Sequence, residues 1–186
     1  MKERKVPFSP PDITEEEIAE VSDALRSGWI TTGPRTKQLE KEVAAFCESP
    51  NGMAACLNSA TAALELSLRV LGIGEGDEVI TSAYTYTASA SVIAHVGAKI
   101  ILVDTQPDSY EMDYDQLEQA ISTRTKAIIP VDLGGVPCDY DLLFEIVERQ
   151  REKFFPRTEI QRKIGHVAIV ADGAHAFGAS YKGQKI

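Results

Sequence analysis

The sequence is poor in the residues that build disulfide scaffolds and metal centres. Its three cysteines, Cys47, Cys56 and Cys138, are odd in number, widely spaced and without a CxxC pair, so neither a disulfide framework nor a zinc site is indicated. His95, His166 and His175 complete the histidines, and they lack metal-ligand spacing. Positive charge is scarce too: 19 Lys plus Arg face 28 Asp plus Glu, a formal net charge of -9. That balance repels a phosphate backbone. The most basic stretch, Arg149 to Lys163, is broken by Glu152 and Glu159 and lacks an aromatic stacking pattern; it reads as a solvated helix followed by a polar loop. No apolar run approaches the length of a membrane span. The charged start, Met1 to Pro7, leads into no signal-peptide core. The default is a reduced, cytoplasmic protein with no nucleic-acid or membrane partner.

What is present suits one sizeable domain. The 186 residues are too few for two ordinary domains, and 44% apolar with 25% charged is a normal globular balance. The opening segment through Pro11 reads as extended, because Pro7, Pro10 and Pro11 forbid a helix. Thr14 followed by Glu17 forms a capping box before Ile18, Val21 and Leu25, so a helix follows and Gly28 ends it. After the loop Trp29 to Pro34, a second helix is expected with Leu39, Val43 and Phe46 on its buried side.

The chain then alternates. Apolar runs at Met53–Leu57, Glu78–Thr81, Lys99–Val103, Ala127–Val131 and Val167–Ala171 read as strands. Helical stretches at Ala60–Leu71, Thr87–His95, Tyr114–Ile121 and Tyr140–Lys153 separate them. This order predicts an α/β fold with a mostly parallel sheet and helices on both faces, its strands apolar on both sides. The polar insert Phe154 to Gly165 reads as a surface excursion. In such sheets ligands bind beyond the carboxyl ends of the strands, which makes the residues after each run the informative ones.

Three of these junctions carry chemistry. After the first run, Asn58-Ser59-Ala60-Thr61 places small hydroxyl residues at a strand-to-helix junction, where free N–H groups and the helix dipole suit a phosphate; a plain N-cap is the alternative. After the second, Tyr84-Thr85-Tyr86 puts aromatics at a helix entrance, able to face a planar ring or to pack the helix on the sheet. The fifth run ends in Ala171-Asp172-Gly173-Ala174-His175. A carboxylate at a buried strand end needs a partner. A protonated pyridine nitrogen fits, as does the simpler role of a turn cap. His175 is either a ring contact or a satisfied core histidine.

Taken in order, these junctions resemble the DegT/DnrJ/EryC1/StrS aminotransferases, fold type I enzymes that use pyridoxal 5'-phosphate (PLP). Ser27-Gly28-Trp29-Ile30-Thr31-Thr32-Gly33-Pro34, Leu71 to Ile80, Val96-Gly97-Ala98, Thr123 to Val131 and Gly178-Ala179-Ser180-Tyr181-Lys182-Gly183 also match, so the resemblance runs from about Val6 to the last residue. It implies that Ser59, Ala60 and Thr61 hold the cofactor phosphate, with Ala60 standing where the family often has Gly. It further implies that Tyr86 stacks on the ring, that Asp172 pairs with the pyridine nitrogen and that His175 contacts the cofactor. Trp29, Thr31, Thr32 and Gly33 would form the substrate mouth near a partner subunit. Residues 1–34 then form an arm, first helix and mouth loop, and 35–186 a partial PLP-binding large domain.

The resemblance also implies amino transfer, with glutamate as donor, to a nucleotide-linked keto-sugar in a homodimer. The cofactor lysine is expected after the Tyr-Lys-Gly turn, beyond Ile186. Lys182 and Lys185 lie in a polar hairpin turn, where an ammonium stays hydrated and protonated, and are rejected as substitutes. The chain is therefore expected to be a catalytically incompetent fragment with uncovered strand edges and apolar helix faces. A PLP-dependent keto-sugar dehydratase and a non-catalytic regulatory relative are the alternatives. An NAD-binding domain is disfavoured because Gly72, Gly74 and Gly76 precede a strand, whereas a dinucleotide fingerprint follows one.

Overall fold

The computed structural model describes residues 10–49 and 53–186. The expected extended opening therefore lies almost wholly outside the described residues. Helix α1 (Glu15–Arg26) starts at the Thr14–Glu17 capping box: the Thr14 side chain accepts from the Glu16 N–H, and the Glu17 carboxylate accepts from the Thr14 N–H at 2.6 Å. The chain leaves α1 through Gly28 at φ +73°, a left-handed conformation that a Cβ would disfavour. Helix α2 (Pro34–Phe46) opens with proline in its first turn, where no N–H is needed.

Helix α3 (Ala60–Val70) is followed by strand β1 (Glu78–Ser82), α4 (Thr87–His95), β2 (Lys99–Val103), α5 (Tyr114–Ala120), β3 (Thr125–Ile129), α6 (Tyr140–Arg149), α7 (Glu159–Ile164) and β4 (Ala168–Ile169). A hairpin of β5 (Ser180–Tyr181) and β6 (Gln184–Lys185) ends the chain. The sheet runs in the order β2-β1-β3-β4, with every pairing parallel. This is the expected α/β architecture. The order reverses direction between β1 and β3, and that point is where an open parallel sheet leaves a crevice.

The alternation of side chains along β1 and β3 builds two cores. Ile80 and Ile128 face one way, into a cluster with Leu117, Leu143 and Ile146 from α5 and α6. Val79, Ala127 and Ile129 face the other way, against Leu64 and Leu68 of α3 and Val92 and Ile93 of α4. Strands β1 and β3 are buried throughout. The outer strands are not: Leu102 of β2 is 56% exposed, which departs from the expectation of strands buried on both sides.

Four further expectations are corrected. Met53–Leu57 forms no strand; the Cys56 N–H donates to the Glu40 carboxylate at 2.9 Å and the Ser49 hydroxyl to the Met53 carbonyl. The segment lies against α3 and β4, but a strand needs a ladder of backbone partners, and the outer edge of β4 has none among the described residues. Secondly, α2 buries little of its apolar side: Leu39 and Phe46 are exposed, Val43 is half-buried and Ala44 is its one fully buried residue. Thirdly, the helix from Tyr140 stops at Arg149 and passes through a tight turn at Arg151–Lys153.

The fourth concerns the insert after Phe154, which docks. Thr158 caps α7, buried Gln161 donates to the carbonyls of Leu71 and Gly72, and Arg157 pairs with buried Asp77 at 3.0 Å. The apolar faces of α1 are left open, with Ile18, Val21 and Leu25 exposed. Among the described residues no helix is long and apolar enough to cross a membrane.

Charge at the amino ends of the strands is also organised. Glu78 is buried, and its carboxylate accepts from Ser122 at 2.5 Å and from Arg124 at 2.6 and 3.0 Å, with Lys99 nearby. Burial alone would raise this carboxyl, but the Ser122 and Arg124 hydrogen bonds and the two cations outweigh it and hold it below its ordinary value. Such a depressed group adds stability that is present above the ordinary glutamate pKa of about 4.3 and is lost as pH falls through the lower folded-state value. Denaturant unfolding followed across acid pH is expected to show this loss, and Glu78→Gln should flatten it. An unchanged pH slope in that variant would contradict the assignment.

Candidate active site

At the carboxyl ends of the strands, a cavity of about 230 Å³ opens beside the β1–β3 crevice. Ligand clefts commonly run from about 300 to 1,000 Å³, so this one is small and suits a single ring-sized group. Its walls are Ala60, Thr61 and Leu64 of α3, Thr85, Tyr86 and Ala88 around the start of α4, Val131 and Leu133 after β3, and Asp172, Ala174 and His175 after β4. Five of the residues singled out from the sequence thus meet: Ala60, Thr61, Tyr86, Asp172 and His175.

Each is placed by its element. Ser59 caps α3, its hydroxyl accepting from the Ala62 N–H at 3.1 Å. This leaves Ser59 outside the cavity walls, while the N–H groups of Ala60 and Thr61 have no acceptor among the described residues. Two free donors at the positive end of an eleven-residue helix suit an anion. Tyr86 is the N-cap residue of α4 and stands 77% exposed, so its ring is available at the rim. Neighbouring Tyr84 turns away to stack on Tyr110, with ring centroids 5.3 Å apart.

Asp172 continues the line of β4 through a parallel bridge to Val131. It is buried, and its carboxylate accepts from the Ser89 hydroxyl at 2.7 Å and from the Ala174 N–H at 3.3 Å. Among the described residues no Lys or Arg pairs with it. His175 takes its orientation from the turn Leu133–Gly135: its Nδ1 lies 3.3 Å from the Gly134 N–H. A nitrogen that accepts there carries no proton, so in the neutral ring the hydrogen sits on Nε2. Gly134 and Gly135 have φ of +64° and +82°, and a Cβ on Gly135 would come within 3.1 Å of the His175 carbonyl. The turn needs both glycines.

Under this turn lies a second buried carboxylate. Asp132 accepts from the Tyr140 hydroxyl at 2.8 Å and from the Cys138 N–H at 2.9 Å. Burial, and then the Asp132 hydrogen bond, push the Tyr140 phenol far above its ordinary value, so it remains a donor. Burial together with the Asp132 and Glu111 charges pushes the Cys138 thiol up to about 12, which makes it inert.

The residues expected at a substrate mouth fall elsewhere. Trp29, Thr31 and Gly33 line a separate hollow with Ser27, Pro34 and Arg35. The Trp29 indole N–H donates to the Thr32 carbonyl at 3.2 Å, and the ring packs where a Cβ on residue 33 would stand. Neither lysine of the hairpin reaches the cavity. Lys182 is paired with Asp141, whose carboxylate raises its pKa; Lys185 lies over the Phe46 ring and donates to the Gly178 carbonyl. Sequence reasoning missed Ser89, Thr85 as a wall residue, and the Gly134–Gly135 turn. The paired glycines were a legible turn signal, whereas Ser89 reads as an ordinary helix residue.

A parallel sheet covered by helices, with a free helix N-terminus, a rim tyrosine and a strand-end aspartate around one cavity, matches the fold of solved PLP-dependent aminotransferases. The chain belongs to the DegT/DnrJ/EryC1/StrS aminotransferase family, which it matches over residues 11–186. It is similar to the "Putative sugar aminotransferase Spr1654" of Streptococcus pneumoniae in its PLP form, at 59% identity and TM-score 0.95, covering 98% of this chain and 46% of that one. DesV of S. venezuelae is 38% identical with TM-score 0.79, over 92% of this chain and 42% of that one. The 3-amino-5-hydroxybenzoic acid (AHBA) synthase is 31% identical with TM-score 0.80, over 98% and 44%. The chain spans less than half the length of these structures. Family membership and the PLP-form neighbour identify pyridoxal 5'-phosphate as the cofactor.

The Asp132 network supports the wall that carries His175. Tyr140→Phe removes one donor from a fully buried carboxylate and is expected to cost about 1–3 kcal/mol of stability. Urea unfolding measures it, and no loss would mean that Asp132 is satisfied otherwise.

Proposed function

We propose that the complete protein transfers an amino group, with glutamate as donor, onto a nucleotide-linked keto-sugar. The observation that carries this reading is the meeting of Ala60, Thr61, Tyr86, Asp172 and His175 around one cavity. The donor set suits PLP: free N–H groups for a phosphate, an aromatic face for a ring and an uncompensated carboxylate for a pyridine nitrogen. When bound, the cofactor supplies the carbonyl that takes up the amino group and a ring that withdraws electrons from the reacting carbon. Ala60 and Thr61 hold the phosphate, and Tyr86 covers a face of the ring. Asp172 keeps the proton on the pyridine nitrogen, which sustains the withdrawal. His175 offers an Nε2–H to the cofactor edge.

The sugar class rests on the Streptococcus pneumoniae relative, which is named a putative sugar aminotransferase. Trp29, Thr31, Thr32 and Gly33 are assigned to the substrate mouth, completed by a second subunit. Support for a dimer comes from the exposed apolar side chains of Ile18, Val21, Leu25, Trp29 and Ile30. Residues 1–34 act as arm and mouth loop, and 35–186 as part of the PLP-binding domain. The reading of this chain as the front part of a longer enzyme is supported by the open apolar hollow between α3 and β4, lined by Leu57, Leu66, Val70 and Ile169. The lysine that moves the substrate proton is assigned to the portion of the relatives that this chain does not cover.

Stopped-flow absorbance of the complete PLP-loaded protein mixed with glutamate tests the first half-reaction. Asp172→Asn is expected to slow it about a hundredfold or more, on the scale of losing one preorganised electrostatic contact. An unchanged rate in that variant, or no reaction of the native protein with any amino donor, would overturn the proposal.

A further inference from the structure

Ser89 makes a contact that a helix residue does not need for its own helix. A serine inside a helix commonly turns its hydroxyl back to a carbonyl on the preceding turn. Ser67 and Ser91 do so, donating to Ala63 at 2.8 Å and to Ala88 at 3.3 Å. Ser89 is fully buried in α4 and instead donates 2.7 Å across to Oδ2 of Asp172, 83 residues away in sequence.

Its oxygen also lies 2.8 Å from the Thr85 hydroxyl, one turn earlier. The protons can be assigned. A serine hydroxyl has one hydrogen, and an ionised carboxylate only accepts. With the Ser89 hydrogen on Asp172, the Thr85 hydroxyl must donate to Ser89. The chain therefore runs Thr85 to Ser89 to Asp172. It fixes Oδ2 on the α4 side, while among the described residues Oδ1 receives only the long 3.3 Å contact from the Ala174 N–H.

We infer that Ser89, oriented by Thr85, is the positioning residue that aims the Asp172 carboxylate at the pyridine nitrogen of PLP. This rests on the reading of Asp172 as the cofactor's partner. Ser89 acts through Asp172 and is not itself a wall of the cavity, whereas Thr85 is. A carboxylate with one oxygen tethered presents the other in a fixed direction. Without the tether, Asp172 is freer to rotate away from the ring, and the proton it holds on the pyridine nitrogen is held less well.

The complete protein loaded with PLP labelled with ¹⁵N in the ring tests this by NMR and by PLP titration. In the native protein the ring nitrogen should appear protonated. Ser89→Ala is expected to shift that resonance toward the unprotonated position and to weaken PLP binding roughly tenfold, the scale of one hydrogen bond to a charged group. Ser89→Thr, which keeps the hydroxyl, should restore both, and a merely structural role would leave the ring resonance of folded Ser89→Ala protein in place. A native resonance and native affinity in Ser89→Ala would overturn the inference while leaving the cofactor site intact. An unprotonated ring in the native protein would overturn both. Should Ser89→Ala not fold, Thr85→Val carries the same comparison, with a smaller shift expected and a native spectrum contradicting the chain of donors.

Discussion

The constraint on which the site depends is the burial of β1 and β3 side by side. Both strands are enclosed on both faces by helices, so their backbones can be satisfied only by one another and by the outer strands. That fixes their register, from Glu78 beside Thr125 to Thr81 beside Ile129. It thereby fixes where the chain emerges at the carboxyl ends. Thr85 and Tyr86 follow β1, Val131 and Leu133 follow β3, and the two sets face one another across the crevice. The Val131–Asp172 bridge then extends β4 far enough to bring Asp172 to the same level.

Two buried carboxylates at this end illustrate how surroundings separate roles. Asp132 is enclosed by the Tyr140 hydroxyl and the Cys138 N–H, which serve both its oxygens; it is structural, and holds the Gly134–Gly135 turn under His175. Asp172 has one short donor, Ser89, and lines the cavity. A buried charge needs compensation, and among the described residues no Lys or Arg supplies it to Asp172. The opposite end of the sheet holds the compensated cluster of Glu78, Arg124, Lys99, Asp77 and Arg157, which braces the fold away from the cavity.

Much of this was legible in the sequence because the signals were local. The capping box at Thr14, the exact span of α4 from Thr87 to His95 and the β2 run from Lys99 to Val103 follow from periodicity and caps. Ala60, Thr61, Tyr86, Asp172 and His175, singled out at the expected junctions and by the family resemblance, do line one cavity, although the run before Ala60 is no strand. What was missed depended on contacts distant in sequence. Met53–Leu57 has the composition of a strand but no ladder to join. Leu39 has helical spacing yet stands exposed, and Phe46 meets Phe177 and Lys185, both far away in sequence. The polar insert docks because Gln161 and Arg157 meet the end of α3 and Asp77. No pattern within α4 tells that Ser89 reaches residue 172 and not the preceding turn.

The proposed function requires the strand ends of this chain to form the greater part of a PLP site. A crystal structure of the complete protein with PLP tests it most directly. The phosphate is expected at the first turn of α3 against the Ala60 and Thr61 N–H groups, the ring beside Tyr86, and the pyridine nitrogen within hydrogen-bond reach of Asp172. PLP bound with its ring nitrogen away from Asp172, or with its phosphate elsewhere than the start of α3, would contradict it.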